Sequence, residues 1–122
     1  SRIKKGILHM RNFKNRRILS IVFNILHIVL TSIFNIVYQK FILDPWTCYR
    51  LFPSDCIKKI NFYRQGFDFD AELICKLVRH GLKPKEVPID YNSRSFEDGK
   101  KINVIKDGYL AITAILRYRF IK

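Results

Sequence analysis

Between Arg17 and Lys40 the chain passes through 22 residues, Ile18 to Gln39, without a formal charge. At a helical rise of about 1.5 Å per residue this stretch is long enough to cross a bilayer core of about 30 Å, so length leaves both a membrane span and a buried or interfacial helix open. The order of the polar residues narrows the choice. Ser20, Asn24, His27, Thr31, Asn35 and Gln39 follow one another at steps of three or four, which stacks them on one narrow stripe and leaves the rest of the circumference apolar; Ser32 alone lies off it. A surface helix of a water-soluble domain carries charges on its wet face, and a lipid-surrounded span seldom holds two Asn and a His without an internal use for them. The pattern predicts a helix lying at a membrane interface or packed under the rest of the chain, its polar stripe turned to protein or water. In the spanning alternative, Arg16 and Arg17 mark the cytoplasmic end. No small-residue cleavage site follows, which argues against a secretory signal.

The segment ahead of this helix is strongly basic. Positions 1–17 carry seven Lys or Arg and no acid, in a chain of 122 residues with a net charge of +13. Such a run calls for an anionic partner or plain water, and nucleic acid and an anionic membrane surface are the usual partners. The run leads straight into an uncharged apolar helix and no nucleic-acid motif is present, so a membrane surface is expected and nucleic acid is not. Cys48, Cys56 and Cys75 are odd in number and form no Cys-x-x-Cys pair, which fits a reduced chain facing the cytosol, without structural zinc.

Beyond the apolar helix the pattern alternates between extended and helical segments. Thr47, Tyr49 and Leu51 against Cys48, Arg50 and Phe52 predict a short strand after Asp44-Pro45, and Val87, Ile89 and Tyr91 predict another. Pro53-Ser54-Asp55 opens a short helix to about Ile60, with Ser54 as its cap. Asp70 caps a helix whose Leu73, Ile74, Leu77 and Val78 form one apolar face, and Gly81 ends it, with Pro84 just beyond. A last helix from about Lys101 to Arg119 presents Ile102, Ile105, Tyr109, Ile112 and Leu116 as an amphipathic stripe suited to a membrane surface. Glu86-Val87-Pro88-Ile89-Asp90-Tyr91, Arg94, and then Gly99-Lys100-Lys101 read as an anion clamp: Arg94 offers a fork for phosphate oxygens, Gly99 lets the chain turn, and the lysines stand at a helix start.

Taken together, Asp44-Pro45-Trp46-Thr47-Cys48-Tyr49-Arg50-Leu51-Phe52, Gly66-Phe67-Asp68-Phe69-Asp70-Ala71-Glu72-Leu73, Glu86-Val87-Pro88-Ile89 with Tyr91 and Arg94, Gly99-Lys100-Lys101-Ile102, and Asp107-Gly108 resemble the C-terminal part of family 2 glycosyltransferases. The likeness is greatest to the dolichol-phosphate and polyprenol-phosphate mannosyltransferase type and covers nearly the whole chain. It implies an α/β fold, the C-terminal portion (1–122) of a catalytic domain of the nucleotide-diphospho-sugar transferase (GT-A) kind. It further implies that Ser1-Arg2 ends a Gly-Ser-Arg motif, so that the chain is cut and the half that binds the donor lies upstream. That half would hold Mg²⁺ or Mn²⁺ on an Asp-x-Asp; Asp68-Phe69-Asp70 has the spelling but falls where the resemblance implies a structural role, so no metal is expected on this chain.

The implied reaction passes a sugar from a nucleotide sugar to a polyprenyl phosphate at the cytoplasmic face of a membrane. Such a transfer needs stabilisation of the leaving diphosphate, capture of the acceptor phosphate and their alignment, and the acceptor is already a nucleophile. The resemblance puts Arg2, Arg16, Ser20 and Arg94 around the acceptor phosphate, with Arg17 a rival for Arg16. Asp44 becomes the carboxylate near the reacting sugar, against a plain turn aspartate before proline. Lys100 and Lys101 touch the donor diphosphate or close over it, and Glu72 and Tyr91 support the site. Alone, the chain is expected to lack activity. An acceptor that is a glycan or lipid-linked saccharide is the alternative, and a basic module binding nucleic acid or a membrane surface is the alternative without catalysis.

Overall fold

The computed structural model describes residues 1, 17–58, 60–64, 67–89 and 104–120. Among them are four helices in chain order: α1 (Arg17–Tyr38), α2 (Ser54–Lys58), α3 (Phe67–Arg79) and α4 (Val104–Phe120). The described part is all-helical, which corrects the expected α/β class and its GT-A sheet. Residues 47–53 show why. Tyr49 and Leu51 are exposed while Arg50 and Phe52 turn inward, so the side-chain alternation holds over 49–52 but not at half-buried Thr47 and exposed Cys48, and no neighbouring strand pairs with the backbone among the described residues. Alternation reports which side of an extended chain is wet; a strand also needs a partner's N–H and C=O groups. In the second expected strand Val87 is exposed and Ile89 half-buried, with Tyr91 outside the described residues. Among the described residues its main-chain exchange is with Ser1, whose nitrogen donates to the Val87 carbonyl at 2.8 Å and whose carbonyl accepts from the Ile89 N–H at 3.0 Å. This is the geometry of a single parallel rung.

Helix ends follow their local chemistry. Gly81, at φ +87°, ends α3 with Gly81 N–H donating to the Val78 carbonyl and Leu82 N–H to that of Leu77, the paired bonds of a Schellman motif. The same pair closes α1, where Gln39 N–H donates to Ile36 and Lys40 N–H to Asn35, and there the left-handed residue is Gln39 at φ 50°. The last helix is described from Val104, the expected start at about Lys101 lying outside the described residues, and α3 begins at Phe67, which places Asp70 inside its first turn as an acidic residue at the positive end.

α4 packs against both α1 and α3, and the core lies where the three meet. Phe34 and Tyr38 of α1, Ala71, Ile74, Cys75 and Val78 of α3, and Ala114, Ile115 and Tyr118 of α4 close over one another, with Ile42 and Trp46 at the edge. Phe34 stacks on Tyr38 at 4.7 Å and meets Trp46 edge-on at 5.8 Å. Cross-links tie the ends: the Tyr38 hydroxyl donates to the Ile115 carbonyl at 3.2 Å, Arg79 to that of Tyr118 at 3.1 Å, and Arg119 to that of Val37 at 3.1 Å. Burial pushes the Cys75 thiol up to about 12, with Tyr38 and Arg50 drawing it back only in part, so this cysteine is an inert core residue.

Candidate functional site

α1 is built inside out. Ser20, Asn24, His27 and Thr31 are buried and Asn35 half-buried, so the polar stripe faces protein, while Ile18, Ile21, Val22, Ile25, Val29 and Ile36 face outward and are 41–80 % exposed. The helix is long and apolar enough to anchor in a membrane. The packing of α4 extends this outer face. Leu26 lies against Gly108, Tyr38 bonds Ile115 and Val37 bonds Arg119, so positions along the two helices rise together and they run side by side in the same direction. On α4, Ile105, Tyr109, Leu116 and Phe120 are exposed at four- and seven-residue steps, opposite Ala114 and Tyr118, which face α3. Both apolar rows therefore point away from α3 and flank one seam.

On the inner side of α1 the loop after Lys40 is fastened to the polar stripe. The Asn35 amide accepts from the Ile42 N–H at 3.0 Å and donates to the Ile42 carbonyl at 2.9 Å. Thr31 accepts from the Trp46 indole N–H at 3.1 Å, and Arg50 donates to the Pro45 carbonyl at 2.7 Å. Asp44 is buried at the centre of this arrangement with its carboxylate 3.8 Å from His27 Nε2, and Glu86 accepts from the Leu43 and Asp44 N–H groups at 2.8 Å each. An open cleft of about 690 Å³ runs past the loop, with Arg50, Phe52, Leu77, Lys83 and Glu86 among its walls.

Glu72 lies elsewhere, on the face of α3 turned to the 60–64 segment. Its carboxylate accepts from the Tyr63 N–H at 3.1 Å, the Arg64 N–H at 2.8 Å and the Lys76 ammonium at 2.6 Å. Lys76 also donates to the Asn61 carbonyl and stands 4.5 Å from the Tyr63 ring centroid and 4.8 Å from that of Tyr118. Burial pushes the Glu72 carboxyl up, but the bonds from Lys76, Arg64 and Tyr63 outweigh it and hold the group below the usual carboxylate range.

Of the expected site residues, Asp44, Ser20 and Glu72 fall among those described. Asp44 meets His27 on the buried stripe, and Ser20 lies on the same stripe seven residues earlier, two turns or about 10 Å along the axis. Glu72 belongs to the separate α3 cluster. Arg17, the rival of Arg16, is exposed at the start of α1. Arg2, Arg16, Tyr91, Arg94, Lys100 and Lys101 lie outside the described residues. Sequence reasoning passed over Glu86, quoted only as part of a motif, and Arg50, whose guanidinium joins the Pro45 carbonyl to that of Asp70. Burial lowers the Arg50 pKa, with the nearby Asp70 carboxylate opposing.

Among the described residues no three His, Cys, Asp or Glu side chains converge as ligands for a metal ion. The Asp68 and Asp70 carboxylates are engaged instead, Asp68 with Arg64 at 3.3 Å and Asp70 with the Cys48 thiol at 3.2 Å. These residues do not fit a Mg²⁺ or Mn²⁺ site. No family model matches the chain, and no curated protein or solved structure matches it significantly.

Proposed function

We propose that this chain forms the membrane-seated, acceptor-binding part of a glycosyltransferase that passes a sugar from a nucleotide-sugar donor to a polyprenyl phosphate at the cytoplasmic leaflet. One observation carries the reading: an inside-out helix whose outer face suits lipid and whose inner face fastens the Asp44 loop. A polyprenyl phosphate keeps its tail in hydrocarbon and its phosphate at headgroup depth. A protein that lays α1 and α4 flat in the interface holds its loops at that depth, and the exposed cations Arg17, Lys106, Arg117 and Arg119 favour an anionic surface.

In the proposed reaction an acceptor phosphate oxygen attacks the anomeric carbon, the bond from that carbon to the nucleoside diphosphate breaks, and the electron pair leaves with the diphosphate. The attacking group is already an anion, so positioning and charge are the tasks left to the protein. Arg94, with Arg2, Arg16 and Ser20, takes the acceptor phosphate; Lys100 and Lys101 offset charge on the leaving diphosphate; Tyr91 supports Arg94. Asp44 orients the reacting sugar.

The test is transfer by the complete protein in anionic vesicles, with labelled nucleotide sugars and a short polyprenyl phosphate. Labelled lipid forms, and Arg94→Ala lowers the rate about hundredfold through lost phosphate contacts. Full activity in that variant overturns the reading, transfer only to a glycan replaces the acceptor, and vesicle binding without transfer leaves a membrane-binding module.

A further inference from the structure

We infer that Glu86 is the positioning residue that sets the Asp44 loop between the lipid-facing helix α1 and the 82–89 segment; its functional part rests on the glycosyltransferase reading above. Residues 40–46 belong to no helix, so their main-chain groups need partners from elsewhere. Asn35 serves both groups of Ile42, and Arg50 serves the Pro45 carbonyl. Between them, the consecutive amides of Leu43 and Asp44 both donate to Glu86, to Oε2 and Oε1 respectively, at 2.8 Å each.

Glu86 differs from the other fasteners in where it comes from. Asn35, Thr31 and Arg50 lie on α1 or a few residues along the loop, whereas Glu86 is 42 residues beyond Asp44. It stands in the 82–89 segment that follows the glycine-capped end of α3 and exchanges main-chain bonds with Ser1 through Val87 and Ile89. The loop is thus held on one side by α1 and on the other by this segment, eight residues before Arg94.

The chemistry selects a carboxylate. Two adjacent N–H donors meet two acceptor oxygens in charge-assisted bonds. A glutamine supplies one acceptor and turns its NH₂ against the second N–H, and an alanine supplies none. Substitution of Glu86 therefore releases the loop from the 82–89 segment while leaving its bonds to α1 in place.

The experiment uses the full-length protein bound to anionic vesicles and reads amide hydrogen exchange together with separate KM values for the nucleotide sugar and a short polyprenyl phosphate. Glu86→Gln and Glu86→Ala each speed exchange at Leu43 and Asp44 by about tenfold or more, the loss of a charge-assisted bond at each amide, while amides inside α3 stay protected. Because Asp44 stands beside the sugar, the nucleotide-sugar KM rises about tenfold and the acceptor KM moves less than about twofold. Faster exchange throughout, with a lower kcat and both KM values unchanged, marks a merely structural role and overturns the proposal. Unchanged exchange at the two amides in both variants overturns it as well. If the wild-type protein transfers no sugar yet Glu86→Ala loses protection at those amides, the functional reading fails and the positioning role stands. If the wild type transfers and the variants keep local protection and nucleotide-sugar KM, the positioning role fails and the reading stands.

Discussion

Glu72 and Asp44 are both interior carboxylates, 0 % and 2 % exposed, and the molecule treats them in opposite ways. Glu72 collects an ammonium and two main-chain N–H groups, all within nine residues of itself, and locks one loop onto its own helix. Asp44 is set by its surroundings: its backbone N–H goes to Glu86, its carboxylate lies beside His27, and its loop is tied to a helix with a lipid-suited outer face. A carboxylate whose neighbours are all local explains itself as a fold determinant. One that joins three segments, at the edge of an open cleft, is where a change in one part of the chain is felt in another.

Removing Glu72 produces the largest loss of stability. Glu72→Ala takes the carboxylate from the Lys76 ammonium, which keeps the Asn61 carbonyl, and leaves two main-chain donors without their acceptor, a cost of about 3–5 kcal/mol in chemical denaturation. A loss below about 1 kcal/mol would erase the distinction between the two sites. Acid titration sharpens the same point. The Glu72 carboxyl is held below its ordinary value, so its stabilisation is complete above the unfolded carboxylate range of about 4.3 and disappears as pH falls through the folded value. Glu72→Gln therefore flattens the acid limb of the stability profile below about pH 4.3 and starts from lower stability at neutral pH.

Asp44→Asn reverses the ranking. Stability changes by about 1 kcal/mol, because an amide keeps the carboxylate's volume and one acceptor oxygen, while transfer to polyprenyl phosphate by the complete protein falls about hundredfold through lost orientation of the sugar. Equal activity with a large loss of stability would make Asp44 a second Glu72. On the outer face, Ile25→Glu leaves folding within about 0.5 kcal/mol, since the site is exposed, yet weakens binding to anionic vesicles about tenfold or more. The smallest effect belongs to the end of α1. Gln39 occupies the left-handed position that favours glycine, so Gln39→Gly raises stability by about 0.5–1 kcal/mol and leaves vesicle binding unchanged.

The helical part of this fold was legible because a periodic sequence records which side of a helix is polar. The stripe from Ser20 to Asn35 marked the inner face of α1, and Gly81 marked the end of α3, since each feature acts within a few residues of where it is written. The strands were misread for the complementary reason. Tyr49 and Leu51 alternate with Arg50 and Phe52, but pairing depends on a distant backbone, and none of the described residues supplies it along 47–52. The surroundings of Asp44 were not legible in the sequence. Asp44 stood out before a proline, whereas its link to Glu86 spans 42 residues and involves a main-chain donor, which leaves no trace in side-chain pattern. His27 looked like one polar residue of a stripe until the loop was folded back onto it.

The proposed function requires α1 and α4 to lie in the membrane interface with their apolar rows on one side. Nitroxide labels placed singly at Ile18, Ile25 and Ile36 of α1, Tyr109 and Leu116 of α4 and His80 beyond α3, in full-length protein on anionic vesicles, measure this through quenching by lipid-soluble and water-soluble relaxants. The predicted result is one shared depth of about 5–10 Å below the headgroups for all five α1 and α4 sites, with His80 in water. A depth that changes steadily from Ile18 to Ile36 would mean that α1 crosses the bilayer, and five labels in water would mean that its outer face meets no lipid at all.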